Sequence, residues 1–203
     1  MNVPWHKDYT RPKLLKFFLP ARDSHAAAYY DWGSELETEW KENYKLWMTF
    51  INEYKNRGGR VTAGSDSGYM YNLYGFGFVQ ELELLREAGF HPMEVIRAGT
   101  LHAAEAIGME DKIGTVEVGK LADLILMDEN PLKNLKYLYA TGDIKLDEEN
   151  DVIRVGGVEK TIKDGIVYDA RLLLEDVKKI VDEEKSKTPD WKSLLYESIG
   201  RKN

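Results

Sequence analysis

Cysteine is absent from all 203 residues of the sequence. That absence excludes disulfides, thiolate metal sites and cysteine nucleophiles together. Histidine is scarce as well, because the only four are His6, His25, His91 and His102, and no two of them have H-x-H or H-x-x-x-H spacing. A catalytic zinc ion usually needs three protein ligands, so no short segment of this chain can assemble such a site.

Long apolar runs and an excess of positive charge are also missing. No apolar run approaches the ~18 residues that a membrane span requires, and residues 1–6 lack the pattern of a signal peptide. Lysine and arginine number 28 against 35 aspartates and glutamates, which gives a net charge of −7. Because nucleic acids and anionic membranes bind basic surfaces, we expect neither as a partner. The cellular location stays open.

The first half of the chain is typical of an α/β protein. Hydrophobic residues make up 43% of the sequence, enough for a packed core. A helix is predicted from a capping box, Ser34-x-x-Glu37, to a stop at Gly58-Gly59. Its apolar positions recur every three or four residues: Leu36, Trp40, Tyr44, Trp47, Ile51 and Tyr54.

A short buried strand is predicted at Arg60–Asp66, followed by a Tyr/Gly-rich loop over 67–77. Further helices are expected near Phe78–Glu87, from Pro92, and from His102. This alternation indicates an α/β fold. A complete (β/α)8 barrel needs about 250 residues, so the chain is too short to be one.

The pattern changes near residue 113. A strand is expected over 122–127, a loop over 141–151, and strands over 152–162 and 166–168 around the Asp164-Gly165 hairpin turn. A charged helix over 171–185 would turn Leu174, Val177 and Val181 inward. We therefore expect three parts: an α/β piece over 1–112, a β-rich module over 113–170, and a helical tail over 171–203.

Asp66 is the most specific candidate for chemistry. It ends a predicted strand after three small residues, Ala63, Gly64 and Ser65, which leave space around it. A carboxylate at such a position can bind a metal or accept a proton from a metal-bound water. The structural alternative is that Asp66 caps a turn or a helix, since Asp-Ser-Gly is common turn chemistry.

Ser67, Tyr69 and Tyr71 follow on the same loop and are candidates for substrate binding. Loop tyrosines also serve as packing residues, so that alternative stays open. His102 stands beside a helix start, where a capping role is the simpler interpretation than metal binding.

Several motifs, in order along the chain, resemble the metal-dependent amidohydrolase superfamily, in particular its imidazolonepropionase-like and prolidase-like members. They cover about residues 58–175. The matching segments are Gly64-Ser65-Asp66-Ser67-Gly68, 81–96, Ala98–Gly108, Ile113–Leu126, Asn130-Pro131-Leu132 and Lys163–Asp169.

The resemblance implies the C-terminal part of a (β/α)8 TIM-barrel amidohydrolase over 1–112, a segment of a small composite β-sandwich over 113–170, and C-terminal helices. It makes residues 60–66 the eighth barrel strand. It also makes Asp66 both a metal ligand and the general base of a hydrolase acting on carbon–nitrogen bonds. The implied cofactor is a divalent metal, with zinc expected, and the implied substrates are amides, cyclic amides or dipeptides.

The family's other metal-binding residues have no counterpart in this sequence: its H-x-H pair, its bridging lysine or glutamate, and two further histidines. The remaining ligands would therefore come from outside this chain. Either an N-terminal amidohydrolase portion or a homo-oligomer would cover the open barrel. The alternative function is an inactive fragment that acts as an interaction or oligomerisation module.

Overall fold

The computed structural model describes residues 4–18, 21–24, 26–68, 72–188 and 191. The first half of the chain is mainly helical, and the second half contains five short strands and a final helix. The α-helices are α1 (Pro12–Phe18), α2 (Ser34–Asn56), α3 (Gly77–Glu87), α4 (Pro92–Ala98), α5 (Leu101–Ala106) and α6 (Ala170–Ser186). The strands are β1 (Leu124–Leu126), β2 (Asp143–Leu146), β3 (Val152–Val155), β4 (Lys160–Lys163) and β5 (Ile166–Asp169). Short 3-10 helices cover Pro4–Tyr9, Ala27–Tyr29 and Leu135–Leu138.

Helix α2 forms where the periodic pattern predicts it, but its start differs from the prediction. The N-cap is Gly33, and no side chain caps the helix. The expected capping box at Ser34 and Glu37 is therefore wrong. The predicted end of the helix at Gly58-Gly59 is confirmed. Gly58 has φ +88°, and the Gly59 N–H donates to the Tyr54 carbonyl oxygen at 2.9 Å. Such a left-handed glycine commonly ends a helix.

Residues 60–66 do not form the predicted strand within the described part of the chain. Their burial nevertheless alternates: Val61, Ala63 and Ser65 are half-buried, whereas Thr62, Gly64 and Asp66 are exposed. That period of two is typical of an extended chain. The strand prediction fails because a strand is defined by pairing, and no described strand lies beside this segment to accept its hydrogen bonds.

The main core lies between α3 and α4. Leu82, Leu85, Phe90 and Val95 are buried there, and Val61 and Ala63 pack against them. Pro92 opens α4, as the sequence predicts, and Gly89, at φ +102°, follows the end of α3. The core therefore holds the strand-like segment from one side.

The second half contains two small antiparallel sheets. In one, β4 lies between β1 and β5, with Ile162 opposite both Leu124 and Val167. Asp164 and Gly165 both have positive φ, which confirms the hairpin turn.

The other sheet pairs β2 with β3 and corrects two expectations. The predicted loop over 141–151 contains β2, whose Lys145 lies opposite Ile153. The predicted strand over 152–162 is interrupted by Gly156 and Gly157, both in the left-handed region. Because glycine adopts this conformation easily, these two residues end the pairing of β3 with β2 before β4 begins to pair with β1 and β5.

Helix α1 contributes buried residues from the N-terminal part of the chain. Leu15 and Phe18 of α1 are buried against Leu73, Phe76 and neighbouring residues. Helix α6 begins with the Asp169 carboxylate accepting from the Leu172 N–H at 3.0 Å. Of its predicted inner face Val181 is buried and Leu174 half-buried, but Val177 is exposed, because α6 meets its neighbours mainly near its C-terminal end. Of the predicted helical tail, residues 189–190 and 192–203 lie outside the described residues.

The described helices include no candidate for a membrane span, since each is too short or too polar to serve as one.

Candidate functional site

Asp66 ends the strand-like segment in a left-handed backbone conformation, with φ +44°. Its side chain is exposed, and it makes no hydrogen bond or ion pair with any described residue. A positive φ is uncommon outside glycine, although aspartate tolerates it better than most residues. The backbone therefore agrees with the turn interpretation, whereas the carboxylate caps nothing in the described part of the chain.

Asn72 holds the turn that follows Asp66. Its side-chain N–H donates to the Ser65 carbonyl oxygen, and its own carbonyl accepts from the Gly68 N–H at 2.8 Å. These two contacts tie both sides of Asp66 to one residue. Sequence analysis missed Asn72, because its partners are backbone atoms that no side-chain pattern reveals.

Gly77, the first residue of α3, has no side chain and so leaves room for the side chains of Asn72 and Ser67. A Cβ built on Gly77 would lie 1.7 Å from Asn72 Oδ1 and 2.4 Å from Ser67 Oγ. Gly68 has a comparable role, since its Cβ would lie 2.1 Å from the Tyr74 hydroxyl oxygen. Two glycines thus allow side chains to pack directly on the Asp66 turn.

Of the three predicted substrate-binding residues, only Ser67 is described. Its hydroxyl lies 2.8 Å from Ser65 Oγ and 3.4 Å from Asn72 Oδ1, and the residue is half-buried. In this structure Ser67 therefore makes contacts within the turn. Tyr69 and Tyr71 lie outside the described residues.

The opposite end of the strand-like segment is held by α5. His102 Nδ1 lies 3.2 Å from the Val61 carbonyl oxygen, and Arg60 pairs with Glu105 at 2.9 Å. His102 is the second residue of α5 rather than its N-cap, which is Thr100. The expected capping role is wrong, but the structural interpretation of His102 holds, because its ring contacts backbone at the end away from Asp66.

A complete metal site does not fit the described residues. Nowhere in the described ranges do three or more His, Asp or Glu side chains come together in a way that could hold a metal ion. Asp66 alone supplies at most one ligand where a catalytic zinc site needs about three. Three cavities of the described residues are lined by residues other than Asp66.

Two groups on the helices have raised pKa values, Glu81 on α3 and Tyr44 on α2. Burial raises the pKa of the Glu81 carboxyl on α3 above its ordinary value. Burial also raises the pKa of Tyr44 on α2 to about 12, and the nearby Glu87 adds to that effect. These residues line the contact between α2 and α3, which is a structural position.

A model of the amidohydrolase family matches residues 47–167, more than half of the chain. The chain belongs to the amidohydrolase family. The predicted resemblance is therefore confirmed, and the matched range contains the Asp66 turn, strands β1 to β4 and the first two residues of β5.

Among curated relatives of this amidohydrolase chain, an imidazolonepropionase of Symbiobacterium thermophilum is 40% identical over 75 residues, which are 34% of this chain and 16% of that protein. A 5'-deoxyadenosine deaminase of Methanobrevibacter smithii is 44% identical over 52 residues, 26% of this chain and 12% of that protein. An imidazolonepropionase of Caldanaerobacter subterraneus is 33% identical over 108 residues, 49% of this chain and 25% of that protein. The chain thus spans a quarter or less of these relatives.

A solved prolidase complexed with N-methylphosphonate-L-proline resembles the chain in fold, with a TM-score of 0.50 and 22% identity. The match covers 77% of this chain and 33% of the prolidase. The mixed helix and sheet predicted from the sequence agrees with this likeness. Two thirds of the prolidase chain lies outside the match.

Proposed function

We propose that this chain is the C-terminal part of a metal-dependent amidohydrolase that hydrolyses carbon–nitrogen bonds. The observation that carries the proposal is Asp66: its carboxylate is exposed at the end of the strand-like segment, with no structural partner among the described residues. A strained backbone that presents an unused carboxylate is typical of functional positions. Family membership supports the reaction class.

In this proposal Asp66 is the general base. Its carboxylate accepts a proton from the water whose oxygen attacks the carbon of the C–N bond. It then returns that proton to the nitrogen, which leaves as the C–N bond breaks. Proton transfer by a positioned side chain typically contributes about 10²–10⁴-fold to the rate.

The proposed cofactor is a divalent metal, with zinc expected, and Asp66 is its one ligand from this chain. Because the described residues do not form a metal site by themselves, the other ligands are expected from outside the chain. An N-terminal amidohydrolase portion would supply them, whereas a homo-oligomer would bring only further copies of the same residues.

The proposed domain boundaries are those that the family resemblance implies. Residues 1–112 belong to the barrel, with 60–66 as its eighth strand. Residues 113–170 contribute the short antiparallel strands of a composite β-sandwich, and 171–203 form the tail. The exposed faces of β1 and β5, with Ile125, Leu126 and Val167, are consistent with a sheet that lacks further packing partners.

The proposed substrate is a small amide, cyclic amide or dipeptide. Named relatives act on an imidazolone ring or an adenine amine, and a fold neighbour is a prolidase. Ser67, Tyr69 and Tyr71 remain the proposed substrate-binding residues. Since the named relatives are enzymes, we do not propose the non-catalytic module.

The test is to express the chain together with the part of the prolidase that the match leaves out, and to assay three substrates. These are an Xaa-Pro dipeptide, imidazolonepropionate and 5'-deoxyadenosine. Hydrolysis of one of them that requires both polypeptides supports the proposal. An assembled complex that hydrolyses none of the three contradicts it.

A further inference from the structure

The start of the strand-like segment 60–66 borders a cavity of about 220 Å³, where the end of α2 meets α4 and α5. Among the described residues that line it, Lys55, Arg60 and Arg97 bring three positive charges, and Glu94 brings the one carboxylate. The wall therefore has a net charge of +2, whereas the whole chain has a net charge of −7. A concave wall whose charge opposes that of the molecule concentrates anions.

The Lys55 ammonium keeps hydrogen-bond donors that its ion pair does not use. Its side chain is only 15% exposed, and it donates to the Glu94 carboxylate at 2.8 Å. An ammonium has three N–H donors, and in the described part of the chain no second acceptor binds this one. Because buried donors need acceptors, Lys55 has room for the oxygen atoms of an anion.

Arg97, on α4, supplies the second donor group. Its side chain makes no ion pair or hydrogen bond within the described ranges. A guanidinium is a planar fork that binds two oxygen atoms of a phosphate or a carboxylate at once. Arg60 is less available, because its Nη1 donates to Glu105 at 2.9 Å. Lys55 and Arg97 are therefore the two groups best placed to hold an anion.

His102 adds a third polar group, from α5. Its Nδ1 lies 3.2 Å from the Val61 carbonyl oxygen, and that contact places a proton on Nδ1, since a carbonyl oxygen only accepts. Its Nε2 has no hydrogen-bond partner among the residues that the structure describes. The polar groups around the cavity thus come from three helices, with Lys55 on α2 and Arg97 on α4.

The volume of the cavity and the directions of its donors favour a small tetrahedral anion. Liquid water occupies about 30 Å³ per molecule, so the cavity has the volume of about seven water molecules. Pockets for drug-sized ligands begin at about 300 Å³. A phosphate group presents oxygen atoms in several directions and carries about −1.5 to −2 charges at pH 7, whereas a carboxylate presents two oxygen atoms in one plane.

We propose that this cavity is a phosphate-binding site, formed by Lys55 and Arg97 with the help of His102. Its ligand is inorganic phosphate or the phosphate group of a small molecule. Glu94 stays beside the anion because Lys55 and the His91 N–H both hold its carboxylate. The inference does not depend on the proposed function, since residues of this chain alone form the site.

The experiment titrates inorganic phosphate into the full chain and follows binding by isothermal titration calorimetry. Sodium chloride at about 0.15 M screens the attraction of exposed charges. Arg97→Gln removes one positive charge from the wall. Arg57→Gln is the matched control, because Arg57 is exposed, pairs only with Glu53 at 3.4 Å and does not line the cavity. Helix content by circular dichroism shows that each variant folds.

We expect one phosphate per chain, with a Kd that rises about tenfold or more in Arg97→Gln, because a hydrogen bond to a charged group is lost. Arg57→Gln should change the Kd by less than about twofold. Glu94→Gln removes the negative charge of the wall and should lower the Kd by about threefold. Two variants of one cavity thus shift the Kd in opposite directions.

The absence of phosphate binding, or the same Kd in Arg97→Gln and the unaltered chain, overturns the proposal. An equal loss in Arg57→Gln, or weaker binding by Glu94→Gln, overturns it as well. Succinate is the carboxylate probe, and tighter binding of succinate than of phosphate also contradicts a phosphate site. Phenyl phosphate distinguishes the two sources of the ligand: tighter binding than phosphate supports a phosphorylated small molecule, whereas equal or weaker binding supports inorganic phosphate.

Discussion

The Lys55 ammonium lies 2.8 Å from the Glu94 carboxylate and connects the end of α2 to the start of α4 across 39 residues of sequence. The same Glu94 oxygen accepts a hydrogen bond from the His91 N–H at 2.8 Å, which caps α4. Lys55 also lies over the Phe90 ring, 5.0 Å from its centroid. One ion pair therefore sets how α2 packs on the core that supports residues 60–66.

Replacing Glu94 by Gln should lower the free energy of unfolding at pH 7 by about 1 kcal/mol, because the ion pair and part of the cap are lost. The Lys55 contact, with the His91 N–H, holds the pKa of Glu94 below its ordinary value. A lowered pKa stabilises the fold above the unfolded value of about 4.3, and this contribution disappears as the pH falls through the folded value.

Urea unfolding at pH 7 and pH 3 tests this prediction. The difference between the unaltered chain and Glu94→Gln should shrink at pH 3. Glu53→Gln is the control, since its pair with Arg57 is exposed and longer, at 3.4 Å. A difference that stays the same at both pH values would count against the role of Glu94.

Replacing Tyr139 by Phe should destabilise the chain by about 1–2 kcal/mol at neutral pH. The Tyr139 hydroxyl donates to Glu83 at 2.5 Å and joins the loop before β2 to α3. Burial, and then this hydrogen bond, raise the pKa of Tyr139 far above its ordinary value. A raised pKa stabilises the fold below the unfolded value of about 10, and the contribution falls as the pH rises above it.

The measurement is stability between pH 8 and 11 by chemical unfolding. The unaltered chain should lose stability more steeply above pH 10 than Tyr139→Phe does. Tyr137→Phe, two residues away and half-buried, is the matched control and should keep the steep slope. Parallel curves for Tyr139→Phe and the unaltered chain would refute the prediction.

Replacing Gly77 by Ala should cost about 1–3 kcal/mol, because the new methyl group would overlap Asn72 and Ser67. Asn72 would then lose its hold on the Asp66 turn. Gly64→Ala is the control, since its Cβ meets open space, and it should change stability by less than about 0.5 kcal/mol. Thermal unfolding of both variants provides the measurement, and equal effects would show that the turn tolerates the extra group.

The sequence predicts well those elements that local signals define. Helix α2, the Pro92 start of α4 and the Asp164-Gly165 turn depend on nearby residues, and the structure confirms each of them. Segment 60–66 shows what local sequence signals do not predict. Its alternating pattern is correct, but a strand also needs a neighbour, and pairing is not a local property.

The candidate site was only partly predictable for the same reason. Asp66 stands out because small residues precede it and a turn sequence follows it. Asn72 and Gly77 do not, because their importance lies in contacts with backbone and side chains that only the folded loop brings together. The periodic apolar residues of α2 predict the helix correctly, yet none of the residues of α2 is buried among the described residues. Periodicity identifies an apolar face without saying what covers it.

The most direct test of the account compares hydrolysis by the assembled two-polypeptide enzyme with and without the Asp66 carboxylate. Asp66→Asn keeps the size of the side chain and removes its basicity. The account predicts that the assembly keeps its native mass while the rate falls by about 10²–10⁴-fold. An assembly that carries Asp66→Asn and keeps the full rate would contradict the central claim that this carboxylate moves the proton.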